Sequence, residues 1–341
     1  MNSFERTMKA VSFQEADRVP LFLLLSLYGA KELQLTPKEY FSDPDNVVTA
    51  QLKMLKKYKH DCIDTFFYAP IEIEAFHGEV IFVNDGPPNT GEPFIRNIEQ
   101  IRTLQVPRIL GSKYLQKVLD ATQKLKENVE NKTPIVGVVM SPFSLPVMQM
   151  GFEKYLELLF YRKDFYEKLM QVNEEFCVGW ANAQLDAGAT AIAYFDPLAS
   201  PNMIEREKYL ATGFQVAKRT IARIKGPVAT HLASGIALPV INEIIATGSA
   251  IVGFSSEDDL VEIKKAAKNR ICLLGNMNAI DMVKWKQERI EYEVKNIISK
   301  AGAGGGLILS DNHGEIPWQV PEDVLMGISE AVRRFGKYEK M

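Results

Sequence analysis

The sequence contains few cysteines and few histidines. Among its 341 residues are four histidines and three cysteines, which are Cys62, Cys177 and Cys272. The cysteines are odd in number and far apart, and no two of them form a C-x-x-C pair, which argues against a disulfide framework. We therefore expect a protein of a reducing compartment, with the cytoplasm as the default location.

The chain also lacks an excess of charge and a long apolar run. Its formal net charge is −3, which offers no electrostatic basis for binding nucleic acid. The stretch PLFLLLSLYGA is much shorter than the ~20 residues that cross a bilayer, and no apolar signal-peptide core follows the N-terminal charges. Neither a nucleic-acid partner nor a membrane is expected.

What the sequence does contain is a phrase that recurs three times in its second half. A small residue and a glycine precede an apolar run that ends in a polar tip, as in AGATAIAYFD, TGSAIVGFSS and AGAGGGLILSDNHG. The spacing of Gly188, Gly248 and Gly302 leaves room for two strand-plus-helix units in each interval. This period predicts an α/β protein with a (β/α)8 TIM barrel, in which the polar tips lie at the catalytic end.

Eight short apolar segments are candidate barrel strands, and amphipathic stretches separate them. They are PLFLLLSL, CIDTFFYAP, IVGVVMSPF, AIAYFDP, VATHLAS, AIVGFSS, ICLLGNMN and GLILSDN. We predict a single domain over 1–341, with an N-terminal helix at 1–18. After the second strand, an insertion at 79–130 should contain a hairpin and a helix.

Five ordered phrases resemble the uroporphyrinogen decarboxylase superfamily, and together they cover essentially the whole chain. They are ADRVP, MSPFSLPVMQMG, FDPLASPNMI, LGNMNA and HGEIP. FDPLASPNMI is more similar to the corrinoid-dependent methyltransferase branch, which includes methylcobalamin:coenzyme M methyltransferases and demethylating enzymes. The resemblance implies a barrel enzyme and, for this branch, a corrinoid carried by a partner protein.

The chain departs from the decarboxylases where they bind their substrate. Their phrase R-Q-A-G-R, whose guanidinium groups hold the carboxylates of the substrate, corresponds here to LLSLYGA, with Leu25 and Gly29 at the matching places. The aspartate that they carry after the second strand corresponds to Tyr68. A decarboxylase of a porphyrin-like or smaller acid is therefore the weaker alternative.

The thiol-activating methyltransferases resemble each other in a zinc site formed by H-x-C and a later cysteine. This chain has His231-Leu232-Ala233, and His313 stands where the second cysteine would be. Two histidines and a carboxylate can form a catalytic zinc site, so we predict zinc on His231, His313 and Glu72. If IEIEAFH is extended, Glu72 and Glu74 share one face, and the alternative third ligands are Glu257, Glu315 and Asp196. The histidines could instead only form hydrogen bonds.

Other candidate site residues follow from the same phrases. Asp196 is expected to act in catalysis as a base or as a hydrogen-bonding group, and Asn276 is expected to line the substrate site. An apolar lining that could hold an aromatic ring is predicted from Leu25, Phe67, Tyr68 and Met140.

These predictions favour one function and leave alternatives open. The favoured function is the transfer of a methyl group between a small methylated compound, most simply a methoxylated one, and the cobalt of a corrinoid on a separate protein. Loss of both cysteines favours an oxygen-bound methyl group over a thiol. A methylcobalamin:thiol methyltransferase, a decarboxylase and a noncatalytic corrinoid-binding module are the alternatives.

Overall fold

The computed structural model describes residues 1–338, and its main feature is a curled parallel sheet. The strands in this part of the chain are β1 (Ile63–Asp64), β2 (Val80–Ile81), β3 (Asn89–Thr90), β4 (Ile135–Met140), β5 (Ala191–Phe195), β6 (Val228–His231), β7 (Ile251–Gly253), β8 (Cys272–Met277) and β9 (Leu307–Asp311). Seven of them form the parallel sheet in the order β1-β4-β5-β6-β7-β8-β9, and β2 and β3 form a separate antiparallel hairpin.

Residues 20–25 connect the two edges of this sheet. The Phe22 N–H donates to the Leu309 carbonyl at 2.8 Å, and the Leu309 N–H donates to the Pro20 carbonyl at 2.9 Å. On the other side, the Asp61 N–H donates to the Leu21 carbonyl at 2.6 Å. The first predicted strand therefore lies between β9 and β1, but as an irregular segment with one isolated bridge, Leu21–Leu309. The other seven predicted strands coincide with strands of the sheet.

Helices cover the outside of the sheet, as the alternation of apolar and amphipathic segments predicts. They are α1 (Ser3–Val11), α2 (Tyr28–Leu33), α3 (Pro37–Tyr40), α4 (Pro44–Tyr58), α5 (Ile71–Ala75), α6 (Lys113–Val129), α7 (Pro146–Met150), α8 (Phe152–Tyr161), α9 (Lys163–Ala187), α10 (Arg206–Ala211), α11 (Gly213–Ile221), α12 (Ile241–Ala246), α13 (Leu260–Ala267), α14 (Gln287–Ala301) and α15 (Glu322–Phe335). None of the helices in residues 1–338 has the length and apolar character needed to span a membrane.

The N-terminal helix is shorter than the predicted span 1–18, because α1 ends at Val11. Phe13 adopts a left-handed conformation with φ 57°. The Gln14 N–H donates to the Lys9 carbonyl, and the Phe13 N–H donates to the Ala10 carbonyl. This pair of bonds is a Schellman motif, which satisfies the last helical carbonyls and turns the chain away from the helix axis.

The two faces of the sheet have different neighbours, which shows which side chains point into the barrel. One cluster draws residues from strands around the sheet: Phe22, Leu24, Cys62, Ala229, Ile251, Cys272, Leu274 and Ile308, together with Ala10 of α1. Alternating strand residues, such as Leu21, Leu23 and Leu25, instead join a large core that contains helix residues. Since successive side chains of a strand point to opposite faces, the first cluster is the barrel interior.

A buried ion cluster fixes α1 to the amino-terminal end of β1. The Asp61 carboxylate is 1% exposed and accepts hydrogen bonds from Arg6 and Arg18 at 2.7 Å each, and from the Leu21 N–H at 2.8 Å. Arg6 also binds Asp17 through two nitrogens. The phrase ADRVP thus holds the N-terminal segment at the end of the barrel opposite to the polar strand tips.

Candidate active site

His231 is the last residue of β6 and is almost fully buried inside the barrel. Its ring stacks on the Phe195 ring with 4.7 Å between centroids, and Phe195 in turn stacks on Phe66. On the neighbouring strand, a β-carbon at Gly253 would lie 2.4 Å from Cδ2 of His231. The imidazole therefore occupies a slot that exists because Gly253 has no side chain.

The hydrogen bonds of His231 determine what its ring can do. The Ala233 N–H donates to Nδ1 at 3.0 Å, so Nδ1 carries no hydrogen and the neutral ring carries it on Nε2. Burial, with the charge of nearby His313, lowers the pKa of His231 to about 4, which keeps the ring neutral at pH 7. Nε2 is buried without a partner. It is therefore a hydrogen-bond donor available to a ligand.

His313 lies in the loop after β9 and is exposed, but it is close to His231. Its Nδ1 forms a hydrogen bond with the Ser234 hydroxyl, which joins the loops that follow β6 and β9. Partial burial of its ring also lowers the pKa of His313. At Gly314, which has φ 90°, a β-carbon would lie 2.3 Å from the Phe195 ring and 3.3 Å from Cε1 of His231. This loop therefore packs directly over the two rings.

The predicted zinc set does not fit this arrangement. Zinc on Nε2 of His231 requires the hydrogen on Nδ1, where the Ala233 N–H already donates. Within residues 1–338, no group of three or more His, Cys, Asp or Glu side chains is placed to hold a metal ion. The structure brings His231 and His313 together but supplies no third ligand to them. Zinc content itself stays a prediction that metal analysis tests.

Glu72 lies in α5, so the segment expected to be extended is helical. Its Oε1 accepts the Met140 N–H at 2.9 Å at the end of β4, while Oε2 is buried without a partner. Burial raises the pKa of Glu72 to about 8. Glu74, which was expected on the same face, accepts the Tyr68 hydroxyl at 2.5 Å instead. The two carboxyl groups therefore have separate partners.

Asp196 follows β5 and holds the loop after β4. Its Oδ1 accepts the hydroxyls of Ser141 and Ser144 at 2.7 Å each, whereas Oδ2 is buried without a partner. Burial raises its pKa to about 6. Its contact with His231 is through the backbone, because the Asp196 N–H donates to the His231 carbonyl at 2.8 Å.

The predicted substrate-lining residues are divided among three places. Phe67, Tyr68 and Met140 line one cavity of about 10 Å³ together with Glu72, which is room for a single water. Asn276 is in β8, where its side chain donates to the Ser255 carbonyl at 2.8 Å. Leu25 lies elsewhere: it is fully buried in the helix-facing core. It does not line the interior because it points to the same face as Leu21 and Leu23.

Sequence reasoning missed Asp64, a buried carboxyl group of β1. It alternates with Cys62 and Phe66, and it is 1% exposed. Its Oδ1 accepts the Phe66 N–H at 3.2 Å, and Oδ2 has no partner. Burial, together with the charges of Glu315 and Asp311, raises its pKa to about 7. The signal that could have identified it is one acidic residue within the apolar segment CIDTFFYAP.

Two polar residues at the carboxyl end of the last strand were also missed. Ser310 and Asn312 alternate with the interior residue Ile308, and both side chains are buried. The Ser310 hydroxyl and Oδ1 of Asn312 have no partner. Buried polar groups are normally paired, so these atoms, with His231 Nε2 and Asp64 Oδ2, indicate a place for a polar ligand or water inside the barrel.

Positive charge is scarce around these groups. Over residues 1–338, Arg6 is the only arginine or lysine that is buried, and it belongs to the ion cluster at the opposite end. The carboxyl groups of Asp64, Glu72, Asp196 and Asp311 are buried with raised pKa values. The buried groups at the carboxyl end of the barrel thus include several acids that can carry protons and, within residues 1–338, no buried arginine or lysine.

The fold and these groups define a class of protein: an α/β barrel with buried ionisable side chains at the carboxyl ends of its strands, as in barrel enzymes. The chain belongs to the uroporphyrinogen decarboxylase (URO-D) family, whose model matches residues 2–335. This family membership agrees with the resemblance carried by the five sequence phrases.

Curated relatives and solved structures give complementary comparisons. The chain is 23% identical to a uroporphyrinogen decarboxylase of Idiomarina loihiensis, over 97% of this chain and 96% of that protein. It is 24% identical to one of Actinobacillus pleuropneumoniae, over 98% of each. A methyltransferase from Methanosarcina mazei superposes with a TM-score of 0.88 at 19% identity, over 98% of this chain and 99% of that one. At this identity the structural likeness shows a shared fold.

Proposed function

We propose that this protein is a corrinoid-dependent methyltransferase that moves a methyl group between a small methoxylated compound and the cobalt of a corrinoid on a partner protein. The observation that carries the proposal is the buried His231 ring, whose Nε2 hydrogen has no partner within the described residues. Membership of the URO-D family and the barrel shared with a methyltransferase support it.

His231 has a direct task in such a reaction. When the methyl–oxygen bond of a methyl ether breaks, the electron pair stays on the oxygen, and negative charge develops there. A fixed donor aimed at that oxygen stabilises the charge more in the transition state than in the substrate. The Nε2–H of His231 is fixed by the Ala233 N–H on one side of the ring and by Phe195 stacking.

The corrinoid, when its carrier is bound, supplies the nucleophile that accepts the methyl group. The loops after β5 and β8 border the carboxyl end of the barrel and expose the apolar side chains of Met203, Ile280 and Val283. In the proposed complex these side chains would supply apolar contact area to the partner. They fit the approach of a large, flat macrocycle held by a second protein.

The alternatives are less well supported by the site. A decarboxylase of a polycarboxylate needs cations at the substrate, and the buried part of the described chain offers Arg6 alone, at the other end. A thiol-activating zinc site needs soft ligands, but Cys62, Cys177 and Cys272 are all free and buried, and burial raises the pKa of each thiol. A noncatalytic module would retain the barrel without turnover.

The decisive experiment compares half-reactions with one reduced corrinoid protein. We expect the purified enzyme to methylate the corrinoid from at least one aryl methyl ether in a panel, seen as the change in the corrinoid absorption spectrum. Faster methylation of a thiol from the methylated corrinoid, or decarboxylation of uroporphyrinogen, would contradict the proposal. Metal analysis of the same preparation tests zinc, and about one zinc per chain would restore the metal role predicted for His231 and His313.

A further inference from the structure

Besides His231, the barrel interior contains the buried carboxyl group of Asp64, which has an oxygen without a hydrogen-bond partner. Asp64 lies on the interior face of β1, between Cys62 of the interior cluster and Phe66, whose ring stacks on Phe195. One carboxyl oxygen accepts the Phe66 N–H at 3.2 Å, and the Leu25 N–H also lies near enough to lower the pKa of the group. The second oxygen has no hydrogen-bond partner, although the residue is 1% exposed. A carboxyl group in such surroundings is stable when it has a proton to donate or a ligand to bind.

The charged groups that act most strongly on Asp64 are acidic. Asp311 of β9 and Glu315 of the following loop lie near enough for their charges to raise the pKa of Asp64. Burial, together with the charges of Asp64 and Glu315, raises the pKa of the Tyr40 hydroxyl on α3. Glu315 is engaged by the Ser26 hydroxyl and by the Leu27 N–H at 3.0 Å. Burial, with the charges of Glu315 and Asp311, therefore opposes ionisation of Asp64 more than the Phe66 and Leu25 N–H groups favour it.

We propose that Asp64 binds the methoxylated substrate by donating a hydrogen bond from its protonated carboxyl group to a neutral oxygen, and that the site consequently selects neutral compounds over carboxylates. Ser310 and Asn312, which point into the same interior and have unpaired oxygens, complete a polar surface without positive charge. An anionic ligand would add a negative charge to a buried site that already contains Asp311 and Glu315 and, among the described residues, no buried cation to offset it. The inference rests on the proposed function for the identity of the ligand.

A pair of isosteric probes tests this selectivity without any corrinoid. We expect calorimetry at pH 6 to show that 4-methoxybenzamide binds about 3–10-fold more tightly than 4-methoxybenzoate, the range expected for one net hydrogen bond. Binding of the amide should weaken between pH 6 and pH 8, because Asp64, with its pKa near 7, loses its proton in that interval. Equal affinity for the two probes would overturn the proposal.

Two variants identify the residue responsible. Asp64→Asn preserves size and a donor but cannot titrate, so its binding of the amide should no longer change between pH 6 and pH 8. Glu174→Gln is the control, because Glu174 is a buried carboxylate paired with Arg219 between α9 and α11, and its pH profile should match that of the unaltered protein. An Asp64→Asn variant that keeps the pH dependence would contradict the assignment.

The outcomes separate this inference from the proposed function. Selective, pH-dependent binding without methyl transfer would leave the role of Asp64 intact and reject the methyltransferase. Methyl transfer with unselective, pH-independent binding would reject the role of Asp64 alone. If neither probe binds the unaltered protein at any pH between 6 and 8, the neutral methoxylated ligand is wrong, and the inference fails with it.

Discussion

At the scale of single residues, His231 distinguishes a hydrogen-bonding site from a metal site. The Ala233 N–H occupies Nδ1, so the ring offers a hydrogen on Nε2 where a zinc ligand would offer a lone pair. The side chain was identified in the sequence by its place after an apolar strand. Its tautomer depends on the turn after β6, where Ala233 adopts φ 51°. No sequence pattern predicts the hydrogen bond from the Ala233 N–H to Nδ1 that this turn forms.

Substitution of His231 tests its role as a donor. We expect His231→Ala to lower the rate of ether demethylation by about 10²–10³-fold, the usual effect of removing a donor to a developing oxyanion. His231→Gln supplies an amide donor and should recover part of the loss. The rates are measured by the corrinoid absorption change, with circular dichroism confirming the fold. Equal, complete loss in both variants together with loss of bound zinc would instead support a metal ligand.

Gly253 provides an independent test of the same ring. A β-carbon there would meet Cδ2 at 2.4 Å, in a slot closed on the other side by Phe195. Gly253→Ala should therefore displace the imidazole and lower demethylation at least tenfold, since small misplacements of catalytic groups are costly. Gly179→Ala is the control, because a β-carbon at Gly179 would lie 3.7 Å from its nearest neighbour. Gly248→Ala is unsuitable, because Gly248 has φ 93°. Unchanged demethylation in Gly253→Ala would contradict the assignment.

At the scale of elements, the sequence predicted the strands better than the faces that they present. Parallel strands covered by helices are short apolar runs between polar loops, and seven of the eight predicted segments are strands of the sheet. In residues 21–25, however, every side chain is apolar. No alternation marks the interior face, and a shift of one residue exchanges the two faces. This is why Leu25 was assigned to the interior while Leu24 occupies it.

The segment IEIEA shows that the sequence is equally limited in deciding between a strand and a helix. Ile71 and Ile73 alternate with Glu72 and Glu74, but five residues are too few to separate a period of 2 from one of 3.6. The segment is helical in α5, and tertiary contacts at the end of β4 bury Glu72. The expectation that Glu72 and Glu74 share one face depended on an extended segment, so the helix changes where Glu72 points, and zinc binding itself stays a prediction.

The ion cluster at Asp61 yields a prediction for the attachment of α1. Asp61→Ala leaves Arg6 and Arg18 without their shared carboxylate in a buried position, so we expect it to lower the free energy of unfolding by about 3–5 kcal/mol. Glu167→Ala, which removes an exposed partner of Lys163, should change it by about 0–1 kcal/mol. Urea unfolding followed by circular dichroism measures both. Similar, small changes in the two variants would show that the cluster does not stabilise the fold.

At the scale of the whole molecule, buried acids without cationic partners make stability depend on pH. Burial raises the pKa of Asp64 to about 7 and that of Glu72 to about 8, above their values in an unfolded chain. The folded state therefore binds more protons than the unfolded state, and the stability that this gives at low pH is lost as pH rises through the folded pKa values. Buried His60 and His231 act in the opposite sense, because burial lowers both pKa values to about 4.

The two histidines lower the free energy of unfolding as pH falls below about 7, because they are half protonated in the unfolded chain at pH 6.5 and neutral in the folded one. Between pH 6.5 and pH 8 they offset part of the effect of the two acids, and we expect the free energy of unfolding to fall by about 1–2 kcal/mol across that interval. Urea unfolding at the two pH values measures the fall. Glu72→Gln, whose side chain stays neutral, should make the fall in the free energy of unfolding smaller. Glu167→Gln, at an exposed site, should leave that fall unchanged. A free energy of unfolding that is constant or rises from pH 6.5 to pH 8 would mean that these carboxyl groups are ionised in the folded barrel, and that its interior is better suited to a cationic ligand than to a neutral ether.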